Sequence, residues 1–517
     1  MLSAPDHSLT KNYLIVILIT LASNILGFIK EILVAKYFGI SPDVDVFIVA
    51  FGLISIFTLI LSSGPLQSAF IPFFSRYYNE SKRAGWLFFS DTLNVVAAAC
   101  LILVLCIVSV LVLLPDLSRS IAPGFSSEQI ETLNSFIFIL AVTVVLSAIS
   151  ILFISILQIF GRFGISVLPP VISNLIILAA LISFHNSSGV YSLVYGITAG
   201  SLAGLLWLLF FMAKIGPHYV PCKISNRRSV RDFIVFIFPM ILLIFVDQLS
   251  ALVQKAIVSY TGSGNISALN YAYKVVGIPV GLFGMGIATV IFPTLSLLIS
   301  QNERSELIRE KVNNSLNYLI YLLIPITFFF VAFSQPVIQF LFERGHFSHE
   351  ATLRTSAAFT YYSIGMLGQA LIVYFHRLFY ACGDSMRPLK IGVVTAVLHV
   401  FLCVLLVDIF DYTGVAVATT IYAYIYFLIL FVVLYRRHIR FEYKSALVLL
   451  GKTSLASLAS LILVRLVPVP QANPVVLVPV SGFAYAFLFF AITGALGINE
   501  SKMLYTMIRS YFVKAEA

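Results

Sequence analysis

The sequence NILGFIKEILVAKYFGISPDVDVFIVAFGLISIFTLILSSGPLQSAFIP, residues 24–72, decides how the rest of the chain is interpreted. It holds two strongly apolar segments joined by residues 36–43, yet Lys30, Glu31 and Asp45 lie within those segments or at their ends. An ionised side chain in the middle of a membrane helix costs about 2.5–3.5 kcal/mol, so such groups usually face a protein interior or a water-filled cavity. The stretch therefore indicates a polar pathway through a membrane.

The composition of the whole chain agrees with a membrane protein. Of its 517 residues 60% are hydrophobic and 10% are charged, and the mean hydropathy is +1.01, far from the values of soluble domains. A spanning helix needs about 20 apolar residues, and that window gives about 14 segments. They are 13–35, 45–70, 86–114, 132–160, 164–184, 189–213, 230–258, 267–298, 313–333, 353–381, 388–408, 413–435, 446–466 and 475–496. The sequence predicts an all-α polytopic membrane protein.

The net charge of +10 is explained by topology rather than by a nucleic-acid partner. If the N-terminus is cytoplasmic, about 22 of the 32 Lys and Arg residues fall on the cytoplasmic side, as the positive-inside rule requires. An even number of spans then places the C-terminus on the same side. We expect a multi-pass protein of the bacterial cytoplasmic (inner) membrane with both termini in the cytoplasm.

Two features recur at nearly the same offset along the chain. Pro72 near the end of the second predicted span is matched by Pro293 near the end of the eighth, and the turn at 161–164 is matched by the turn at 382–384. Transporters built from parallel repeats show this kind of internal similarity. We predict two pseudo-symmetric six-helix lobes plus two C-terminal helices, although recurrence by chance is the alternative. The predicted parts are the N-lobe at 1–213, a cytoplasmic linker at 214–231, the C-lobe at 232–435, and helices 13 and 14 with a cytoplasmic tail at 436–517.

Five ionisable residues are predicted in the outer half of the bilayer, on equivalent helices of the two lobes. If those helices line a cleft, its excess of positive charge suits an anionic group such as a diphosphate, which lysine binds as a compact point charge. For Lys30 and Lys255 the alternative is that the side chain reaches the lipid headgroups. The acids are expected to pair with the lysines. The candidate substrate-binding residues are Lys30, Glu31, Asp45, Lys255 and Lys274.

Two further polar residues lie in the middle of predicted spans. Asp247 has no lysine within its own helical turn, which makes it a candidate for proton or cation coupling. His399 is the second candidate, with a hydrogen-bonded core histidine as the alternative reading. No phosphate-cradling loop, nucleophile motif or metal-ligand spacing occurs in the sequence, so we expect a transporter with no catalytic residue, no metal and no cofactor.

Several motifs resemble one known family. At the N-terminal end these are Gly27–Ala35, Tyr37–Gly39, Asp45–Phe51 and Ser68–Pro72; further along they are Ile266–Ala272, Pro279–Gly284, Pro293–Ser296, Leu341–Gly345 with Phe347–Ser348, and Arg377–Ala381 with Asp384 and Pro388–Lys390. Their order and spacing are similar to those of the MurJ/MviN family of lipid II flippases, in the multidrug/oligosaccharidyl-lipid/polysaccharide exporter superfamily.

The resemblance implies 14 helices in two lobes and movement of an undecaprenyl-diphosphate-linked sugar precursor, most simply lipid II, from the cytoplasmic to the periplasmic leaflet. Members of the family typically carry Arg where this chain has Asn24, Lys30, Thr58 and Lys274, and an acid where it has Ser63. The expected partners are this glycan, the lipid bilayer and proteins of cell-wall synthesis.

Three other functions remain open at the level of sequence. A flippase for another polyprenyl-linked polysaccharide would use the same lysines. A cation-coupled drug or metabolite exporter would depend on an acid such as Asp247. A scaffold that recruits polysaccharide synthases would transport nothing, and it would have no use for lysines inside membrane spans.

Overall fold

The computed structural model describes residues 7–62, 65–220, 227–301, 305–466, 474–502 and 506. Helices and short connections account for these described residues, and no strand occurs among them. The predicted all-α class is confirmed. The predicted linker at 214–231 includes residues 221–226, which lie outside the described residues, as do Ser63 and most of the predicted tail.

Eighteen α-helices follow one another along the described ranges. The first nine are α1 (His7–Phe38), α2 (Pro42–Ser62), α3 (Pro65–Glu80), α4 (Lys82–Leu113), α5 (Ser127–Ile159), α6 (Phe163–Ser166), α7 (Pro169–Ser188), α8 (Tyr191–Ala213) and α9 (Arg227–Val258). The other nine are α10 (Asn265–Pro279), α11 (Gly286–Ser300), α12 (Ser305–Ala332), α13 (Ser334–Phe342), α14 (His349–Ala381), α15 (Met386–Phe410), α16 (Thr413–Arg437), α17 (Tyr443–Leu466) and α18 (Pro474–Ala495). A 3₁₀ turn at Pro115–Ser120 and a π-helix at Val280–Met285 complete the set.

The predicted count of spans agrees with the structure. Thirteen stretches of the described residues are long and apolar enough to cross a membrane. The remaining predicted span, 230–258, corresponds to α9. About 14 transmembrane helices is therefore consistent with the structure.

One detail of the predicted spans is wrong. Pro72 and Pro293 lie inside α3 and α11 rather than at helix ends. An interior proline removes one backbone hydrogen bond, and membrane helices tolerate this because neighbouring groups satisfy the freed carbonyl.

The chain forms two compact units. Unit 1 contains the described residues up to Ser267 together with Arg344–Phe347, and unit 2 contains the other described residues. The division after Ser267 falls within the first turn of α10, and the predicted boundaries of the N-lobe, linker and C-lobe stay a prediction.

An aromatic cluster explains why α9 belongs to unit 1. Phe233 of α9 is fully buried, and its ring meets Phe70 of α3 and Phe88 of α4 edge to face, at centroid distances of 6.4 and 6.0 Å. Such pairs contribute about 0.5–1.5 kcal/mol each beyond area burial. In a bilayer, where lipid is as apolar as the helix, packing of this kind rather than water exclusion holds helices together.

The last two helices pack within unit 2. The Tyr485 hydroxyl of α18 donates to the Pro325 carbonyl of α12 at 3.0 Å, and the hydroxyls of Tyr321 and Thr493 lie 2.9 Å apart. α17 packs against both α12 and α18. These contacts fix the C-terminal helices to the side of α12.

Candidate substrate site

Helix α1 carries an ion pair within its membrane span. Lys30 Nζ lies 3.2 Å from Glu31 Oε1, and the two side chains are 22% and 11% exposed. Consecutive helical residues do not face one another, so both side chains lean toward a common side. The pairing of an acid with a lysine predicted for this helix is found here. An ammonium group has three N–H donors, and Glu31 accepts one of them.

Asp45 occupies a different kind of position, at the start of α2. Its side chain is 1% exposed, and its two oxygens accept hydrogen bonds from the backbone N–H groups of Gly264 and Ser267 at 2.6 and 2.7 Å. Gly264 directly precedes α10 and Ser267 lies in its first turn, where backbone donors lack helical partners and where negative charge is stabilised. Asp45 therefore caps the start of α10 through residues 264 and 267, within unit 1. This geometry favours a positioning role over contact with substrate.

Lys255 joins α9 to α2. Its Nζ donates to the Ile48 carbonyl oxygen at 3.2 Å, and the half-buried side chain lies over Gly52. A Cβ atom at Gly52 would fall 2.1 Å from Nζ, so the missing side chain makes room for the ammonium group. Lys255 is thus directed at the backbone of a neighbouring helix.

Close backbone contacts gather at the same end of unit 1. The His346 N–H donates to the Lys36 carbonyl at 2.8 Å, between two glycines with left-handed backbone, Gly39 at φ +61° and Gly345 at φ +62°. A Cβ at either glycine would approach a backbone oxygen to 2.5 or 2.3 Å. Only glycine fits both positions without strain. Segment 344–347 is thereby held on the turn between α1 and α2.

A further contact ties the end of α9 to the turn before α5. The Ser259 hydroxyl lies 3.0 Å from the Gly124 N–H, which donates to it. A Cβ at Gly124 would fall 2.1 Å from the Ser259 carbonyl oxygen. Segments 259–267 and 344–347 both belong to unit 1.

The candidate residues of unit 1 are distributed over two packing arrangements. α1, which carries Lys30 and Glu31, packs along α7. α2, which carries Asp45, packs on α5 and on α9, and α9 carries Lys255. The structure thus pairs Lys30 with Glu31 and places Asp45 and Lys255 on the α2–α9 side.

Lys274 lies in unit 2 on α10 and is half-buried. The next turns depart from regular helix, because α10 ends at Pro279 and a π-helix follows at Val280–Met285. Gly284 in that segment packs closely, since a Cβ there would lie 3.0 Å from Ala370, whereas a Cβ at Gly281 would meet nothing within 4 Å. π-helical turns often occur at functional sites. Lys274 is therefore less than two turns from the least regular part of its span.

The two candidates for ion coupling differ in their surroundings. Asp247 of α9 is exposed. His399 is 5% exposed, stacks on Tyr422 with ring centroids 4.2 Å apart, and has Nε2 3.1 Å from the Thr419 hydroxyl. That hydroxyl donates to the Val415 carbonyl at 2.8 Å, so it accepts from His399 Nε2–H. This arrangement is typical of a hydrogen-bonded core histidine.

Sequence reasoning missed the backbone partners of these side chains. Lys255 lies over Gly52 and donates to the Ile48 carbonyl. Asp45 accepts from the backbone N–H groups of Gly264 and Ser267. The glycine and asparagine at 264–265 are a helix-start signal that indicates a need for a cap. Nothing in the local pattern identifies which distant acid supplies it.

The fold and the site together define a class, the multi-pass membrane transporters with ionisable groups inside their spans. A solved lipid II flippase MurJ in an inward closed conformation superposes with a TM-score of 0.80 and 24% identity, covering 93% of this chain and 98% of that one. An inward-facing multidrug resistance MATE family transporter of the MOP superfamily superposes with a TM-score of 0.65 and 14% identity, covering 79% and 93%. Both likenesses establish the fold.

The chain belongs to the lipid II flippase MurJ family, whose model matches residues 34–485. A probable lipid II flippase MurJ of Buchnera aphidicola subsp. Acyrthosiphon pisum is 27% identical over 471 residues, covering 89% of this chain and 90% of the relative. Another from Rickettsia prowazekii is 25% identical over 422 residues, covering 81% and 82%. The family predicted from the sequence motifs is confirmed.

Proposed function

We propose that this protein is a flippase that moves lipid II from the cytoplasmic to the periplasmic leaflet of the bacterial inner membrane. The match of the family model to residues 34–485 carries the proposal. The substrate belongs to the wider class of undecaprenyl-diphosphate-linked glycans, and a flippase for another member of that class is the alternative. Family membership does not favour a drug exporter.

Such a protein must lower the free-energy cost of transferring a charged head group through hydrocarbon. Burying an ionised group without partners costs many kcal/mol, whereas fixed charges in a solvated cleft replace the water that the diphosphate loses. Lys30 and Lys274, two of the lysines within spans, supply positive charge for this purpose. The polyprenyl tail stays in the lipid throughout.

We assign different roles to the five candidate residues. Lys30 and Lys274 attract the diphosphate. Glu31 balances Lys30 when the cleft is empty, which lowers the cost of keeping an ammonium group within a span. Asp45 caps the start of α10, Lys255 holds α9 to α2, and both act by positioning these segments.

We infer that the protein works by alternating access, with the two lobes predicted from the sequence as the bodies that move. With both termini in the cytoplasm, α1 runs outward, so the turn between α1 and α2 lies on the periplasmic side.

Rescue of a bacterium depleted of its own lipid II flippase tests the proposed substrate. We expect the wild-type gene to restore growth and cell shape, and a Lys214→Ala variant, changed outside the spans, to do the same. Absence of rescue, combined with movement of another polyprenyl-linked glycan in vesicles, would transfer the proposal to that glycan.

Two narrower questions follow from the same proposal. Ion coupling through Asp247 predicts that flipping by the wild type stops when the proton or sodium gradient is lost, and that Asp247→Asn stops flipping while the gradient is intact. A complex with cell-wall synthesis proteins predicts that crosslinking in living cells recovers a peptidoglycan synthase with the wild-type protein.

A further inference from the structure

A cavity of about 470 Å³ opens where α16 ends, α17 begins and α12 passes nearby. Three cationic side chains line it, Arg309, Arg440 and Lys444, against one carboxylate, Glu442. All of these residues belong to unit 2. The cavity is therefore a concentrated positive site, separate from the proposed substrate lysines.

Hydrogen bonds hold the walls of this cavity in place. The Arg309 Nε–H donates to the Arg440 carbonyl oxygen at 2.7 Å, and the Glu442 N–H donates to Asn313 Oδ1 at 3.0 Å. These bonds tie the connection between α16 and α17 to α12. Because its Nε is engaged in this way, the Arg309 guanidinium has a fixed direction, and its other N–H groups make a planar fork suited to phosphate.

An aromatic wall completes the site. The rings of Tyr435 and Tyr443 meet edge to face at 5.7 Å, and Phe441, which is 3% exposed, meets Tyr435 at 5.8 Å. Tyrosine is enriched at the level of the lipid headgroups, where its ring contacts acyl chains and its hydroxyl contacts polar groups. The spans end at Arg437 and begin again at Tyr443, so the cavity lies at the membrane border.

We propose that this cavity binds the phosphate of an anionic phospholipid headgroup. Basic pockets between transmembrane helices on the cytoplasmic side recognise such headgroups, and anionic lipid is attracted to clustered Lys and Arg. The number of cations, the fixed guanidinium and the tyrosine rings fit a lipid phosphate at the interface. The proposal does not depend on which glycan the protein moves.

Lipid retention by the purified full-length protein tests the assignment. The protein is exchanged into phosphatidylcholine nanodiscs with and without phosphatidylglycerol, and the bound phosphatidylglycerol is counted by native mass spectrometry after release. Each basic residue near a membrane contributes about 1 kcal/mol of attraction, so we expect Arg440→Gln/Lys444→Gln to weaken retention on the order of tenfold or more. Arg309 is left unchanged because its side chain also hydrogen-bonds the Arg440 carbonyl, which holds the cavity wall in place.

A charge-matched control separates a built site from general attraction. Arg436→Gln/Arg437→Gln removes the same charge from the end of α16 without touching the cavity lining, and we expect it to keep the wild-type retention. Glu442→Gln removes the one carboxylate, and we expect it to strengthen retention, which keeps the test valid if the first variant folds poorly. Equal losses in both double variants would overturn the proposal. A thermal shift with inorganic phosphate alone, and none with phosphatidylglycerol, would overturn the lipid assignment.

Discussion

Lys255 of α9 lies directly over Gly52 of α2, with its ammonium nitrogen 2.1 Å from the place that a Cβ atom of residue 52 would take. The same ammonium donates to the Ile48 carbonyl one turn earlier. A cation inside a span thus contacts the backbone of a neighbouring helix. The contact is possible because residue 52 is glycine and has no side chain. The relationship gives Lys255 a testable role in holding α9 against α2.

Substitution of Gly52 tests the contact between Lys255 and the backbone of α2. The atom nearest to an added Cβ is the tip of a flexible side chain, so Gly52→Ala should move Lys255 aside without unfolding the protein. We expect Gly52→Ala and Lys255→Met to reduce flipping to a similar extent and their combination to add little, because both remove one interaction. Gly27→Ala, whose Cβ would make an ordinary 3.7 Å contact with Asn174, is the control. Full additivity in the double variant would show that the two residues act separately.

Asp45 is expected to matter for stability. Asp45→Ala leaves the buried N–H groups of Gly264 and Ser267 without their acceptors, and hydrogen bonds to charged groups contribute about 1.5–3 kcal/mol each. We therefore expect a loss of at least ~2 kcal/mol in the free energy of unfolding. Asp43→Asn, an exposed acid of the same first turn, should unfold like the wild type. Equal melting temperatures for the two variants would exclude the capping role.

Variants of the ion pair in α1 distinguish an effect on stability from an effect on transport. Glu31→Gln leaves Lys30 within the span without its carboxylate, and we expect a lower melting temperature. Breaking a fully buried ion pair by removing one partner costs about 3–5 kcal/mol in the free energy of unfolding. We expect a smaller loss here, because the Lys30 side chain is 22% exposed. Lys30→Met/Glu31→Gln removes both charges, so it should recover the melting temperature but not lipid II flipping. A double variant that flips at the wild-type rate would remove Lys30 from the proposed site.

Asp384, in the connection between α14 and α15, gives a prediction for pH. Burial raises the pKa of this carboxyl, but hydrogen bonds from His438 and from the Arg387 backbone and side chain, with the charge of Arg387, bring the net pKa below its usual value. A lowered pKa stabilises the folded state at pH values above the unfolded pKa, about 3.9, and this stabilisation is lost as pH falls through the folded-state pKa.

We therefore expect Asp384→Asn to melt below the wild type at pH 7 and the gap to close below about pH 4. Melting curves over this range provide the measurement. Asp116→Asn, at an exposed acid outside the long helices, should show no such gap. A gap that persists at low pH would mean that the ionised form of Asp384 is not what stabilises the fold.

The spans were predictable because they depend on local composition. Apolar runs of sufficient length marked nearly every helix, and Ser126 with Gln129 forms the capping box that begins α5. Lys30, Glu31 and Lys274 were visible as charges within apolar runs. Each of these features is encoded within a few neighbouring residues.

Long-range contacts were not predictable in the same way. Asp45 and Gly264 are 219 residues apart, and Lys255 is 207 residues from Ile48. The place of α9 in unit 1 depends on such contacts and on the burial of Phe233 among aromatic rings of α3 and α4. An offset between two prolines does not report which helices pack together.

Translocation of fluorescent lipid II by the purified protein in vesicles tests the central claim most directly. We expect the wild type and Lys274→Arg to move the lipid, and Lys274→Ala to fall to the level of protein-free vesicles while inserting normally. Movement of lipid II by Lys274→Ala at the wild-type rate would contradict the account.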